Sequence, residues 1–228
     1  MKRGSRSYGI ILVSQDKKIL VCRKADTYGL LDFLRGNWYN KSSAQLLLSK
    51  TTKEEKIKLR ASHLSDLCKS YCFDYGNLVK RFGGEDQKKA VDKWLNLSTN
   101  IKGDFEFPKG RMLGNGEKSI ACAMREFYEE TGISIEGYGV SNKTVVKEKI
   151  PCGSVVYTIK YFLIKYHLPS DKIDITKFHR KEVSRLLWVD KNNAADFLDP
   201  NKTKIVSHIL DILELFDDKS SNLTALVS

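Results

Sequence analysis

Three glutamates share one strip of a segment with helical periodicity. Glu126, Glu129 and Glu130 form the pattern E-x-x-E-E, and at about 100° per residue they fall on the same narrow face of a helix. Like charges at this spacing destabilise a bare helix by about 0.2–0.5 kcal/mol per pair, so a cation over the strip is expected. Hard divalent cations such as Mg²⁺ and Mn²⁺ prefer such oxygen ligands. The alternative is a solvated acidic face without a ligand.

The residues around this strip predict the elements that position it. Phe105–Lys109 is expected to form a strand, and a glycine-rich turn leads from it into a helix over Glu117–Thr131. The opposite side of that helix is predicted to be buried through Ile120, Met124 and Phe127. Glu117 would then lie at the positive end of the helix dipole, where a carboxylate is favoured.

The whole stretch resembles the Nudix box, whose pattern is G-x5-E-x7-R-E-U-x-E-E-x-G-U with U apolar. Gly110 matches the first glycine, Glu117 the following glutamate, and 125–133 the remainder. Six residues, not five, separate Gly110 from Glu117, and the extra one falls in the turn Leu113–Gly116, which can absorb an insertion. The resemblance implies an α/β class fold, an α/β/α sandwich with a mixed sheet, and hydrolysis of a nucleoside diphosphate linked to another group.

The resemblance also implies a role for each matched residue. Metal ligands would be Glu126, Glu129 and Glu130, joined by the carbonyl of Gly110, with Mg²⁺ or Mn²⁺ as the cofactor and Glu126 and Glu130 counted as catalytic. Glu117 and Arg125 would support the site, because Arg125 stands four residues before Glu129 and can orient it.

A distal carboxylate is expected as a further ligand or as the general base. Glu182 is the candidate, since Lys181–Trp188 (KEVSRLLW) resembles the segment E-I-S-K-I-x-W of decapping Nudix enzymes. The alternative is an ordinary surface glutamate at the start of a strand.

The sequence before the box narrows the substrate. Phe107–Arg111 is F-P-K-G-R, which resembles the F-P-K-G-K entry of the eukaryotic mRNA decapping enzyme and of decapping proteins of large DNA viruses. This favours capped mRNA as the partner, cleaved to m7GDP and 5′-monophosphate RNA, and a viral protein in the host cytoplasm. Two alternatives stay open: a diphosphatase for diphosphoinositol polyphosphates or dinucleotides, and a non-catalytic RNA-binding protein with the same fold.

Basic and aromatic residues near these motifs are candidates for substrate contacts. Those expected to contact phosphate are Lys109, Arg111, Arg23 and Lys24. A methylated guanine is cationic and stacks on aromatic rings, and the ring candidates are Trp38, Tyr39, Phe105 and Tyr28. For each ring the alternative is packing in the core or in a loop.

The totals agree with a polyanionic partner. The 228 residues carry a net charge of +11 with a pI of about 9.3, which favours nucleic acid or another polyanion through long-range attraction. Five cysteines, odd in number, indicate reduced thiols and hence a cytoplasmic setting. No apolar run approaches the length of a membrane span, so no membrane insertion is expected. Nothing in the sequence predicts the oligomeric state.

Two regions with different composition predict the domain organisation. The Nudix domain is expected over 1–40 and 98–228, with a hairpin at Ser7–Val13 and Ile19–Arg23 and a loop with aromatic anchors over Lys24–Asn40. An all-helical insertion is expected over 41–97, where glycine and proline are rare. Its candidate RNA-binding residues are Lys53, Lys56, Lys58 and Arg60.

Overall fold

One mixed sheet holds the part of the chain that carries the Nudix box. The structure is a computed structural model, and it describes residues 7–97, 105–114, 116–135, 145–152 and 155–225. The strands are β1 (Ser7–Val13), β2 (Ile19–Lys24), β3 (Phe105–Glu106), β4 (Lys109–Arg111), β5 (Val145–Cys152), β6 (Val155–Lys165) and β7 (Val183–Val189). Their order is β3-β2-β1-β6-β5, while β4 pairs with β1 and β7 pairs with β2. β1 and β6 run parallel, and the other pairs are antiparallel.

Alternation along β1 builds two cores, one on each face of the sheet. Ile10 and Leu12 pack with Phe127 of the helix α7 (Ser119–Thr131). Ile11 and Val13 point to the other face, because successive side chains alternate in a strand. There they pack with residues of α8 (Ala194–Phe197) and α9 (Pro200–Ala225). Helices therefore cover both faces of a mixed sheet, and the predicted α/β sandwich is confirmed.

The remaining helices form a separate compact unit with its own core. The chain divides into Met1–Ala25 with Gly103–Ser228, and Asp26–Lys102. The second unit contains α1 (Tyr28–Leu34), α2 (Lys41–Ser49), α3 (Lys53–Ala61), α4 (Leu64–Ser70), α5 (Tyr75–Phe82) and α6 (Gln87–Leu97). The regular elements among its described residues are all helices.

The predicted loop over Lys24–Asn40 is wrong in its middle, which forms α1. Thr27 caps this helix by accepting a hydrogen bond from the Leu30 amide. Glu55 holds Thr27 in turn, since its carboxylate accepts from the Thr27 amide at 2.6 Å and the hydroxyl at 2.8 Å. The buried side chains of α1, Leu30 among them, join the helical core, so the helical unit begins before the boundary expected at residue 41.

Trp38 lies in the core of the helical unit and not at a binding surface. It is 2% exposed, and its indole N–H donates to the carbonyl of Phe33 at 3.1 Å. Its ring stacks on Phe33 and meets Phe82 and Trp94 edge-on. The substrate-binding role predicted for Trp38 is therefore wrong, because the side chain is buried in this core and leaves no ring surface for a ligand.

The segment expected as one strand over Phe105–Lys109 is two short strands. β3 pairs with β2, and β4 pairs with β1. The chain therefore passes from β2 to β1 at Phe107 and Pro108. Proline has no amide hydrogen for a sheet ladder, which suits it to this crossing.

None of the described helices is long and apolar enough to cross a membrane.

Replacing Trp38 by alanine is expected to lower the free energy of unfolding by about 3–5 kcal/mol, the usual cost of removing a buried aromatic side chain. Its neighbour Tyr39 is 89% exposed and supplies a matched control. Tyr39→Ala should cost less than about 1 kcal/mol. Urea denaturation followed by circular dichroism measures both, and equal losses for the two variants would contradict the packing described for Trp38.

Candidate active site

Arg125 ties the carboxylates of the Nudix box together. Its Nη1 donates to Glu126 and to Glu129, both at 2.9 Å. Its Nε donates to Glu117 at 2.9 Å, and its Nη2 to the carbonyl of Arg111 at 3.0 Å. One guanidinium thereby fixes two glutamates of α7 against the turn that precedes the helix, as a planar fork of donors can.

Glu117 anchors the glycine turn and not the helix itself. α7 begins at Ser119, so Glu117 precedes it. Its carboxylate accepts from the Leu113 amide at 2.8 Å as well as from Arg125, and the hydrogen bond from Arg125 lowers the pKa of Glu117. The extra residue relative to the family pattern falls in this turn, where Asn115 lies outside the described residues, and the bond from Glu117 to Arg125 still forms.

Glu130 points the other way, into the interior beneath the helix. It is 1% exposed and forms an ion pair with Lys24 at the end of β2. The amide of Lys109 donates to it at 3.2 Å and the thiol of Cys22 at 3.5 Å. Burial raises the pKa of Glu130, and the ammonium of Lys24 acts against this rise. Burial and the charge of Glu130 together raise the pKa of Cys22, which keeps it a thiol.

A second buried carboxylate, Glu106, lies beside this pair. Its Oε2 accepts from the ammonium of Lys109 at 2.7 Å, and in β3 it stands in register opposite Cys22. Burial opposes ionisation, but the charges of Lys109 and Lys24 prevail and lower the pKa of Glu106. The interior under α7 therefore holds two carboxylates and two ammonium groups.

Gly110 leaves the space that the carboxylate of Glu126 occupies. A Cβ placed on Gly110 would collide with that carboxylate, so a side chain at this position would displace Glu126 from its observed place. The contact also places an oxygen ligand of the proposed set beside the Gly110 backbone, whose carbonyl was predicted to join it.

The donor chemistry of the strip fits a hard divalent cation. Glu126, Glu129 and Glu130 offer carboxylate oxygens from one turn of one helix, and such cations prefer oxygen. In the described part of the chain, no three carboxylate, imidazole or thiol groups converge as a ready metal site. The three carboxylates are divided between two cations. Glu126 and Glu129 form ion pairs with Arg125, whereas Glu130 forms one with Lys24.

Glu182 lies at the sheet end where Lys24 ends β2. Its carbonyl accepts from the Ala25 amide at 2.9 Å, and the next residue, Val183, is in register with Lys24. Its carboxylate is exposed and 3.8 Å from Nδ1 of His179. The fold thus brings residue 182 to the strand end that supplies a partner for Glu130, and its role as base or ligand stays a prediction.

The residues expected to bind phosphate divide into two groups. Lys109 and Lys24 have their ammonium groups on Glu106 and Glu130, so the structure does not support phosphate contacts from them. Arg111 is exposed and Arg23 half-buried, and both stay candidates.

The other candidate side chains also have defined positions. Phe105 is buried edge-on against Phe197, which excludes it from stacking on a base. Tyr28 and Tyr39 are exposed. Exposed or half-buried positions on α3 carry Lys53, Lys56, Lys58 and Arg60.

Glu106 and Cys22 were missed by sequence reasoning. The signal for Glu106 was a glutamate three residues before a lysine in a predicted strand. The signal for Cys22 was a small thiol on the inward face of β2.

Gly110→Ala is expected to weaken Mn²⁺ binding at least about tenfold, a usual cost of displacing a residue that orients a metal site. The new methyl would push away the carboxylate of Glu126, whose flexible end can move, so the fold should tolerate it. Gly114→Ala is the matched control, since nothing lies within 4 Å of a Cβ there. Calorimetric titration with Mn²⁺ measures both, and unchanged affinity in Gly110→Ala would remove Glu126 from the metal site.

Comparison with known proteins identifies the domain that contains the box. The NUDIX domain model matches residues 78–209, more than half of the chain. The "Putative mRNA-decapping protein" of Acanthamoeba polyphaga mimivirus is 30% identical over 111 residues, covering 46% of this chain and 31% of that protein. The match thus spans about a third of the relative's length.

Solved structures with similar folds were also found. A binary complex of the Ap4A hydrolase of C. elegans gives a TM-score of 0.48 at 11% identity, covering 92% of this chain and 98% of that one. RenU, a Nudix hydrolase from M. smegmatis, gives 0.44 at 12% identity, covering 92% and 86%. The domain match and the box residues on α7 carry the conclusion that this chain belongs to the Nudix family of hydrolases.

Proposed function

We propose that the chain is a metal-dependent decapping enzyme that cleaves the 5′ cap of mRNA and releases m7GDP and 5′-monophosphate RNA. The observation that carries the proposal is the 30% identity to a viral protein named for mRNA decapping. The F-P-K-G-R entry at Phe107–Arg111 also supports it. The net charge of +11 suits RNA, although it suits other polyanions equally.

The site residues match the needs of pyrophosphate hydrolysis. A bound divalent cation supplies positive charge to the phosphate oxygens and makes a water molecule more acidic. Glu126, Glu129, Glu130 and the Gly110 carbonyl would hold it. Arg125 orients Glu126 and Glu129 through its two 2.9 Å hydrogen bonds, which limits the motion that would otherwise misplace the ligands.

Proton transfer is assigned to Glu182. It is an exposed carboxylate at the strand end beside Lys24, where solvent can exchange with it. Arg111 is exposed beside the box and would bind phosphate through its planar fork of donors. Arg23 would act in the same way.

The helical unit offers a basic surface for the RNA body. On α3, Lys53, Lys56 and Arg60 are exposed or half-buried, while Lys58 donates to Tyr71 at 2.6 Å. The ammonium of Lys88 from α6 contacts the carbonyl of Arg60, so α6 extends the basic surface of α3.

Incubation with cap-labelled RNA and Mn²⁺ tests the proposal. The parent protein is expected to release labelled m7GDP, and Glu130→Gln should lower the rate at least about a hundredfold, since a neutral amide cannot replace a carboxylate ligand. Glu85→Gln, an exposed glutamate of the helical unit, is the matched control and should keep the parent rate.

Two other results would overturn parts of this assignment. Intact capped RNA, together with turnover of diphosphoinositol polyphosphates or of dinucleotides, would assign a small-molecule diphosphatase. Capped RNA that binds but is cleaved by neither the parent nor Glu85→Gln would assign an RNA-binding protein. Full activity in Glu130→Gln would reject the metal-ligand role of Glu130.

Charge reversal of Lys53, Lys56 and Arg60 to glutamate is expected to weaken RNA binding and to flatten its salt dependence. Each lost phosphate contact should reduce the slope of log affinity against log salt by about 0.7. Lys58 is left unchanged because it also contacts Asp26. Fluorescence anisotropy between low and high salt measures the slope.

The matched control reverses three exposed lysines of the other unit: Lys172, Lys177 and Lys204. It changes the net charge by the same amount. Equal slopes in the two triple variants would remove α3 from the RNA-binding surface and leave only the effect of total charge.

A further inference from the structure

One carboxylate oxygen of Glu106 is buried without a hydrogen-bond donor among the described residues. Glu106 is 8% exposed, and its Oε2 is taken by Lys109 at 2.7 Å. Its Oε1 is fully buried and has no hydrogen-bond partner in the described structure. Burying such an oxygen unsatisfied is costly, so its position calls for a functional reason.

The ammonium of Lys24 is a candidate donor for that oxygen, since its charge acts on Glu106. Glu106 stands opposite Cys22, and Lys24 follows Cys22 by two residues in the same strand. The side chains of Cys22 and Lys24 reach the same carboxylate, Glu130, so they share one face of the sheet. Diagonal neighbours in a sheet are within reach of long side chains. The charge of Glu106 also adds to that of Glu130 in raising the pKa of Lys24.

Binding of a divalent cation at Glu130 creates a problem that Glu106 can solve. Lys24 occupies Glu130 in this structure, and the two cations repel one another. An ammonium left buried without a counter-charge is strongly unfavourable. Lys24 therefore needs a second carboxylate close by when it leaves Glu130.

We propose that Glu106 is a positioning residue that receives the ammonium of Lys24 when a divalent cation takes its place on Glu130. The proposal rests on the metal-ligand role of Glu130 in the proposed function. No covalent bond is made or broken in this exchange, since the ammonium passes from one carboxylate to another. Lys109 stays on Oε2 of Glu106, and Oε1 accepts Lys24.

A double-mutant cycle on metal affinity tests the exchange without any substrate. Mn²⁺ binding to the parent, Lys24→Met, Glu106→Gln and the double variant is measured by calorimetry. Lys24→Met should bind Mn²⁺ about tenfold more tightly, because the competing ammonium is gone. Glu106→Gln should bind it about tenfold more weakly, and this loss should shrink to about twofold or less in the Lys24→Met background.

The cycle separates exchange from simple loss of charge. If Glu106 acted only as a nearby negative charge or as a partner of Lys109, its removal would weaken Mn²⁺ equally in both backgrounds, and the proposal would be overturned. Unchanged or weaker affinity in Lys24→Met would overturn it as well, and this arm needs no Glu106 variant to fold.

A second readout is the crystal structure of the Mn²⁺-loaded parent protein. Nζ of Lys24 is expected within hydrogen-bond distance of Oε1 of Glu106 and away from Glu130. Lys24 still on Glu130, or turned to solvent, rejects the exchange. Failure of Mn²⁺ to bind at Glu130 at all rejects the metal site itself, whereas absence of decapping with an intact cycle rejects only the choice of substrate.

Discussion

Negative charge gathered beneath and along one helix has to be matched by positive charge before that helix can pack on the sheet. Glu130 is buried in an ion pair with Lys24, and Glu106 is buried in an ion pair with Lys109. Arg125 gathers the more exposed glutamates at the helix surface. β2 carries Lys24, and the segment from β3 to β4 carries Glu106 and Lys109. The carboxylates of this helix and of β3 are therefore held by the counter-charges that the neighbouring strands supply.

Local pattern was enough to predict the elements whose periodicity is set by burial on a regular face. β1 alternates cleanly between two cores, and α7 carries an apolar side opposite its carboxylates, so both were predicted within two residues of their observed bounds. The family pattern supplied the site residues on α7, because their spacing along one helix is itself the geometry. The fold class followed from the family resemblance, and the order of the predicted elements agreed with it.

Contacts between residues far apart in the chain could not be predicted from the sequence. Trp38 was a candidate for stacking because it falls in a segment predicted as a loop with aromatic anchors, yet rings from α1, α5 and α6 pack against it. Lys109 looked like a phosphate ligand, but Glu106 turns its ammonium inward. α1 was taken for a loop because its cap, Thr27, is held by Glu55 from another helix. In each case a tertiary contact overrode the local signal.

The helical unit is inserted in the sequence between β2 and β3, and this position has a consequence for folding. β2 and β3 are antiparallel neighbours with Arg23 opposite Phe105, so the whole of Asp26–Lys102 stands where a hairpin would have a turn. Closing so long a loop from a disordered chain costs about 2–3 kcal/mol more than closing a tight turn. A helical unit rich in local contacts can fold quickly by itself, and its folding shortens the loop that the sheet must close. The insertion is thus tolerated at this point because its ends are already strand partners, and it can act as a pre-folded connector for the sheet.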